Sequence, residues 1–592
     1  MSRHVIQRRF FGFAVILTAL LSLACTQLRS PEPEQYFSRE QPPVPRELRW
    51  TNGKLPKTVD PALAAAAPDI DVSRAIFEGL TDLDPATLEP VPAIAESWIP
   101  ENDYRTWKFT LREGAKWSNG AELTAADFVR SWRRVAEFGE KAPHRNLMAN
   151  IVGFSKTPPA DPTEAADETG LLDFAPNQEV SPTPGSTATP SAVPSASPRA
   201  PTPNGQENKV EFGVVAIDDR TLQITLIRPD KDLPKLVAHP VFRPVPAKAG
   251  SLDLSKNVQQ IVTSGPFRIV SAGHDGVVLD REQNYWDLAS VKIDRVRFVP
   301  TQNPEKALEA YRNGEVDVVT NSSFSPAAVK LLEPYEDFRR TSYAALNFYE
   351  LNTKRAPFND RSIREALAIA IERENLTEGE LGGSTRPAYS FTPFSPGGAK
   401  LLVSDAARAR ELLESAGYPN GEGFPVIRLL INRNETQQRI AKAVARMWKA
   451  NLNIETEIVV MEPDQLAAAK EAGDFDAIRK GVVMPTPNET ANFLAMFRSE
   501  ADDEAEWSGA NGRSEFGSAS PTPSPQPEGT VAIDRPELFL TEESALFELP
   551  GIPLYFPTSY SLVKPYVRGF DVNSLDAPLL KRVEIDSNWK AK

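Results

Sequence analysis

Polar and apolar residues alternate with a period of two where Trp107, Phe109 and Leu111 interleave with Lys108, Thr110 and Arg112, which predicts a strand buried on one face. The period then lengthens. Thr124-Ala-Ala-Asp127 has capping-box spacing, and Phe128, Val129, Trp132 and Val135 follow at helical intervals. Residues 214–227 predict two strands around a turn at Asp218-Asp219, with Leu222, Ile224 and Leu226 on one face. Asn359 or Asp360 stands where it would cap a helix whose apolar side is Ile363, Ala366, Leu367 and Ala370. A helix over 406–416 begins near Ser404 and stops at Gly417, and another over 439–450 leads into a strand over 454–460. Leu538, Phe539, Glu543 and Leu546 recur at helical spacing. Strands and helices alternate without an eightfold rhythm or a short repeat, so the class is α/β, with several lobes built on mixed sheets.

The N-terminal pattern differs. Arg3, Arg8 and Arg9 precede an uncharged stretch over 10–28, rich in Phe, Leu, Ile and Val. A basic start, a short apolar segment and small residues are the marks of a secretory signal peptide, expected over 1–24. The ending Leu21-Ser-Leu-Ala-Cys25 resembles the lipobox of bacterial lipoproteins, which implies acylation of Cys25. A thiolate is the nucleophile that such acylation needs. The expected address is extracytoplasmic, with the chain held at a membrane by its N-terminal lipid.

Composition sharpens this picture. The 592 residues carry a net charge of −14, which argues against a nucleic-acid partner, since that needs a basic surface. Cys25 is the only cysteine, so no disulfide can form within the chain. The 53 prolines gather in three places: a stretch over 25–45, expected to be a stalk, and Pro/Ser-rich segments over 157–208 and 517–533. Proline lacks a backbone donor, and Ser, Thr and Ala bury little, so the last two are expected to be disordered inserts in a globular chain.

Catalytic chemistry finds no support. The four histidines, His4, His144, His239 and His274, have no neighbours at metal-ligand spacing. There is no Gly-x-Ser-x-Gly elbow, no phosphate-binding lysine loop and no Gly-x-Gly-x-x-Gly after a strand. We expect no enzyme activity, no cofactor and no metal.

Several segments, in order, carry a resemblance. Phe77-Glu-Gly-Leu80, Pro92-Ala-Ile-Ala-Glu-Ser-Trp98, the run Phe109 to Gly120 and the run Leu123 to Trp132 come first. Thr263-Ser-Gly-Pro-Phe267, Asn284-Tyr-Trp286, Tyr311 to Asp317 and Pro357 to Leu367 follow, and Ile552-Pro-Leu-Tyr-Phe556 and Leu562 to Val567 close the series. Together they resemble the extracytoplasmic solute-binding proteins, family 5, of peptide ABC transporters, and most of all the oligopeptide-binding receptors. The resemblance implies a periplasmic-binding-protein-like type II fold with two main lobes, a hinge and an extra lobe. It places lobe I at 46–75, 210–302 and 552–592, lobe II at 76–209, and lobe III at 303–551. It also implies a monomer that captures a peptide or peptide-like ligand between closing lobes and presents it to ABC permease subunits. An extended peptide would be held by its backbone against strands. The ligand residues it implies are Ser264 and Gly265 on one lobe and Gln437, Arg479, Gly481, Val482 and Val483 on the other.

Departures from the family pattern are concentrated in the cleft. The aspartate that holds a peptide's α-amino group is absent after Phe475-Asp476-Ala-Ile-Arg479-Lys-Gly481. The glutamate expected in the first lobe falls in Ala64-Ala-Ala-Ala67, the expected histidine appears as Gln437, and the expected tryptophan as Pro463. A buried ammonium without a carboxylate costs several kcal/mol. Asp474, Asp476 and Glu489 are the available substitutes. The alternative readings are a receptor for a modified or non-peptide ligand, or a receptor-like envelope lipoprotein acting as an interaction or chaperone protein. A lobe III helix before Arg535 is expected to be missing or replaced by loop.

Overall fold

The computed structural model describes residues 35–38, 42–43, 46–154, 212–247, 252–254, 258–301, 303–394, 402–497, 541–571 and 573–590. Cys25, the segment 1–24, most of 25–45, Leu538, Phe539 and the two proline-rich inserts lie outside the described residues. Among the described residues no helix is long and apolar enough to cross a membrane.

The strands begin with β1 (Glu47–Thr51), β2 (Thr81–Leu83), β3 (Pro90–Pro92), β4 (Ala95–Glu101), β5 (Thr106–Leu111), β6 (Val214–Ala216) and β7 (Thr221–Thr225). Next come β8 (Phe267–Gly273), β9 (Gly276–Arg281), β10 (Arg295–Phe298), β11 (Val318–Val319), β12 (Phe338–Ser342) and β13 (Ala345–Leu351). The last are β14 (Thr385–Pro387), β15 (Ile427–Asn432), β16 (Thr456–Met461), β17 (Ala477–Val483), β18 (Gly551–Val563), β19 (Val567–Arg568) and β20 (Glu584–Ile585). A mixed sheet runs β16-β15-β17-β13-β18-β11-β1-β10-β9-β8, with β12 and β14 also on β18. A smaller sheet has the order β4-β5-β7-β6.

β18 joins the two halves of the large sheet. Its first residues pair with β13, Gly551 opposite Glu350 and Tyr555 opposite Asn347, and its last two pair with β11. Ile552, Leu554 and Tyr555 enter a core with Tyr349, Leu429 and Trp448. Val563 enters a different core with Trp50, Phe109 and Trp132. Between them Phe556 enters a third core and Tyr560 and Leu562 a fourth, so this one strand runs through four apolar cores, and a bend along it would move one body against the other.

Local signals were met closely. Thr124 caps the helix Ala125–Glu137, with its N–H donating to Asp127 Oδ2 at 3.0 Å. The 106–111 strand and the 214–225 hairpin form, with Leu222 and Ile224 buried. That hairpin pairs with β5 in the smaller sheet, so it sits with the strands at 95–111 and not with the lobe I strands. Asp360 caps Arg361–Ile369, and Asp405, not Ser404, caps Ala406–Ser415, because their carboxylates reach the N–H groups of Ser362 and Arg408. The helix expected over 439–450 starts a turn earlier, as Glu435–Leu452, since Asn434 supplies the cap. Pro463 opens a further helix, Pro463–Glu471. The helical spacing around 543–546 becomes Glu542–Glu548. Part of the expected stalk is docked. Phe37 N–H donates to Asp337 at 2.9 Å and its ring meets Tyr335, so residues 35–38 lie against the body and do not act as a free spacer.

Two of the family-like motifs meet in the interior. Glu78 Oε1 accepts from the Tyr285 hydroxyl and Oε2 from Trp286 Nε1, both at 2.5 Å, and Lys581 Nζ lies 3.4 Å away. The four come from three separate parts of the chain, and the cluster ties the C-terminal segment to Glu78 and to the 285–286 segment.

Candidate functional site

β17 shows its backbone on one side. It pairs antiparallel with β13 along its length, Ala345 opposite Val483 through Leu351 opposite Ala477. On the other side β15 reaches only Ala477 and Ile478. Met484 N–H donates to Ala344 O at 2.7 Å, and Asn352 N–H to Asp476 O at 3.0 Å. Backbone groups alternate in direction along an antiparallel strand, so Ile478, Lys480 and Val482 face β13. Arg479, Gly481 and Val483 point the other way; Arg479 flanks the last pair with β15, Leu430 with Ile478, and beyond it no strand among the described residues pairs with Gly481 or Val483. Of the three residues expected to offer backbone groups to a ligand, Gly481 and Val483 turn theirs away from β13 and Val482 turns its own toward β13. Its N–H and C=O belong to the ladder with Leu346.

The side chains beneath this edge form a polar cluster in an apolar setting. Arg479 Nη2 donates to Asn347 Oδ1 at 2.5 Å, and a Cβ on Gly481 would stand 2.8 Å from that same nitrogen, so glycine leaves the guanidinium its room. Gln437 Nε2 donates to the Tyr555 hydroxyl at 3.1 Å. Among the described residues, Arg479 Nε and the Tyr349 hydroxyl are buried without a partner. Burial lowers the Arg479 guanidinium below its ordinary range, against the opposing pull of Tyr555 and Tyr349. Burial raises both phenols, Tyr349 strongly. Sequence reasoning named Gln437 and Arg479 but missed Asn347, Tyr349 and Tyr555. Their signal is tertiary, since Asn347 and Arg479 are 132 residues apart.

Other named residues are occupied. The N–H groups of Ser264 and Gly265 both donate to Ile76 O, at 3.1 and 2.9 Å, and the Ser264 hydroxyl accepts from Glu78 N–H at 3.2 Å. A Cβ on Gly265 would lie 2.7 Å from the Ile76 carbonyl carbon, so this glycine serves a close approach to the helix Asp69–Ile76. The three substitute acids are engaged too. Asp474 pairs with Arg428 at 2.7 Å, Asp476 accepts Arg428 N–H at 2.8 Å, and Glu489 accepts Glu542 N–H at 2.6 Å.

A cavity of about 510 Å³ opens elsewhere on the body that carries β1. Lys54, Lys57, the run Ala65–Ala67 and Ser323 are among its walls. It contains the alanine segment in which the resemblance expects an acid.

After β17 the chain crosses to the segment before Leu233. Asn488 Nδ2 donates to both carboxylate oxygens of buried Asp230, at 3.1 and 2.8 Å. Burial raises the Asp230 carboxyl to about 6, with the bonds from Asn488 and Asp232 opposing. An unfolded aspartate titrates near ~4, so in the window between the folded chain holds the extra proton. Stability from this group is therefore full below roughly pH 4 and is lost as pH rises through about 6. Asp230→Asn is expected to remove on the order of 2 kcal/mol of that pH dependence. Denaturant unfolding of both proteins at acid and neutral pH reads it, and equal slopes would contradict it. Burial raises Asp576 to about 6 as well, so the difference between the proteins is the informative quantity.

Comparison with known proteins places this geometry. The family model described as bacterial extracellular solute-binding proteins, family 5 middle, matches residues 89–505. The periplasmic oligopeptide-binding protein OppA of Salmonella typhimurium is 29% identical over 574 residues, covering 94% of each chain. The periplasmic murein tripeptide-binding protein MppA, in its unliganded open form, superposes with a TM-score of 0.68 at 26% identity, covering 93% of this chain and 99% of that one. A second structure of MppA, from Escherichia coli, gives 0.53 at the same identity, with 92% and 99% covered.

Proposed function

The chain belongs to the bacterial extracellular solute-binding proteins of family 5, and on that premise we propose that it is a lipid-anchored receptor that captures oligopeptides between two lobes and hands them to an ABC permease. As a family 5 protein it binds its solute and does no chemistry on it. The observation that carries the peptide reading is the pair of outward backbone positions at Gly481 and Val483, beyond the end of the β15 ladder. A strand edge of this kind accepts an extended chain through main-chain bonds, and those bonds are indifferent to side chains. Acylation of Cys25 would hold the receptor beside its permease and keep its local concentration high there. The proposed lobes are those given above, with the hairpin 214–225 moved to lobe II.

A second reading is favoured by one observation. Asp474, Asp476 and Glu489 are all engaged within the fold, so none is free to meet a peptide ammonium. The ligand of this second reading is a peptide without a free amino end, or a non-peptide solute.

Thermal melting tests the receptor role. A ligand that binds only the native state raises apparent stability by about 2.7 kcal/mol at a hundred times its Kd. A randomised pentapeptide pool is expected to raise the melting temperature by several degrees. No shift with free, N-acetylated or C-amidated pools would remove the peptide reading.

A further inference from the structure

The cavity beside β1 has a charge pattern that the family reading does not explain. Lys54 and Lys57 stand on its wall, both exposed. Neither ammonium lies within 4.0 Å of a carboxylate among the described residues. Asp69 is the one acid among the lining residues. Its Oδ1 already accepts Lys57 N–H at 2.7 Å, and burial raises its carboxyl above the ordinary range. The wall between them is Ala65, Ala66, Ala67 and Pro68, without charge. Thr301, Asn321 and Ser322 already bond to Thr51, Asn52 and Thr320, so they add shape more than charge. An ammonium entering this space would meet two cations and one occupied carboxylate. A carboxylate entering it would meet two exposed ammonium groups, one of them at longer range from Asp69 and neither in a salt bridge among the described residues.

We infer that this cavity receives a carboxylate of the ligand, with Lys54 and Lys57 as its counter-charges. The inference rests on the receptor reading and deepens it: the preferred ligands are peptides that carry a negative charge at this point and need no free α-ammonium. A terminal carboxylate and an acidic side chain share that chemistry.

Three N-acetylated pentapeptide pools, all without Lys, Arg or His, separate the sources. One has a free C-terminus and no Asp or Glu. One is C-amidated and contains Asp and Glu. One is C-amidated and has neither. Titration calorimetry on the full chain is expected to show at least one carboxylate-bearing pool binding about tenfold more tightly than the uncharged pool, as fits one charge-assisted contact. Which of the two does so identifies the source. The preference is expected to shrink in high salt, because exposed charges are screened. In the double variant K54A/K57A it is expected to vanish, with the melting temperature unchanged because both side chains are exposed. Equal affinity for all three pools overturns the inference, as does a preference that survives in the double variant. If only free-amine peptides bind, the inference falls and the receptor reading stands. If no peptide binds in any form, both fall.

Discussion

Replacing Val483 by proline is expected to lower peptide affinity at least about tenfold while leaving the fold intact. Proline removes one backbone N–H and fixes φ near about −65°, which an extended strand edge tolerates when the lost donor faced away from the ladder. The Val483 N–H faces away from β13, and no strand among the described residues pairs with it on that side. The neighbouring position gives the contrast. Val482 faces β13 opposite Leu346, so Val482→Pro takes a donor from a buried carbonyl and is expected to cost about 1–3 kcal/mol of stability. Adjacent substitutions of the same residue type should thus separate binding from folding. Denaturant unfolding together with peptide titration reads both, and a Val483→Pro protein that binds as the wild type does would show that the ligand does not use this edge.

Glu78→Ala is expected to be the most damaging single change, at about 3–5 kcal/mol. The carboxylate is almost fully buried, and Tyr285, Trp286 and Lys581 all converge on it. Its removal strands two donors and leaves Lys581 to face Asp287 at 4.0 Å as its nearest carboxylate. Glu78→Gln keeps the shape and one acceptor, so a smaller loss is expected from it. Chemical denaturation of both variants reads the difference. A loss under about 1 kcal/mol for the alanine variant would mean that the cluster is not what anchors the C-terminal segment to the rest of the body.

Features specified within a few residues were legible from the chain alone. The Thr124 capping box and the 106–111 strand depend on their own neighbours, and both appear where expected. Boundaries slipped where two capping residues stood side by side. Asp405 prevailed over Ser404, and Asn434 started its helix before the apolar pattern became visible. The candidate site was legible only in part. Arg479, Gly481, Val482 and Val483 were named together, but which of them face outward depends on the register with β13, and a single strand does not record its partner. Tyr349 and Tyr555 joined Arg479 through β13 and β18, which no local pattern announces. Ser264 and Gly265 were named because they stand where the resemblance places a glycine-containing ligand loop. What approaches Gly265 is the helix Asp69–Ile76. Lys54 and Lys57 passed unnoticed because lysines near a turn look like ordinary solvated surface until a cavity is found beside them.

The central claim, that an extended peptide binds the free edge of β17, is tested most directly by melting wild-type and Val483→Pro protein side by side, each with and without a randomised pentapeptide pool. The account predicts equal melting temperatures without peptide and a rise of several degrees with peptide in the wild type alone. An equal rise in both proteins, or no rise in either, would contradict it.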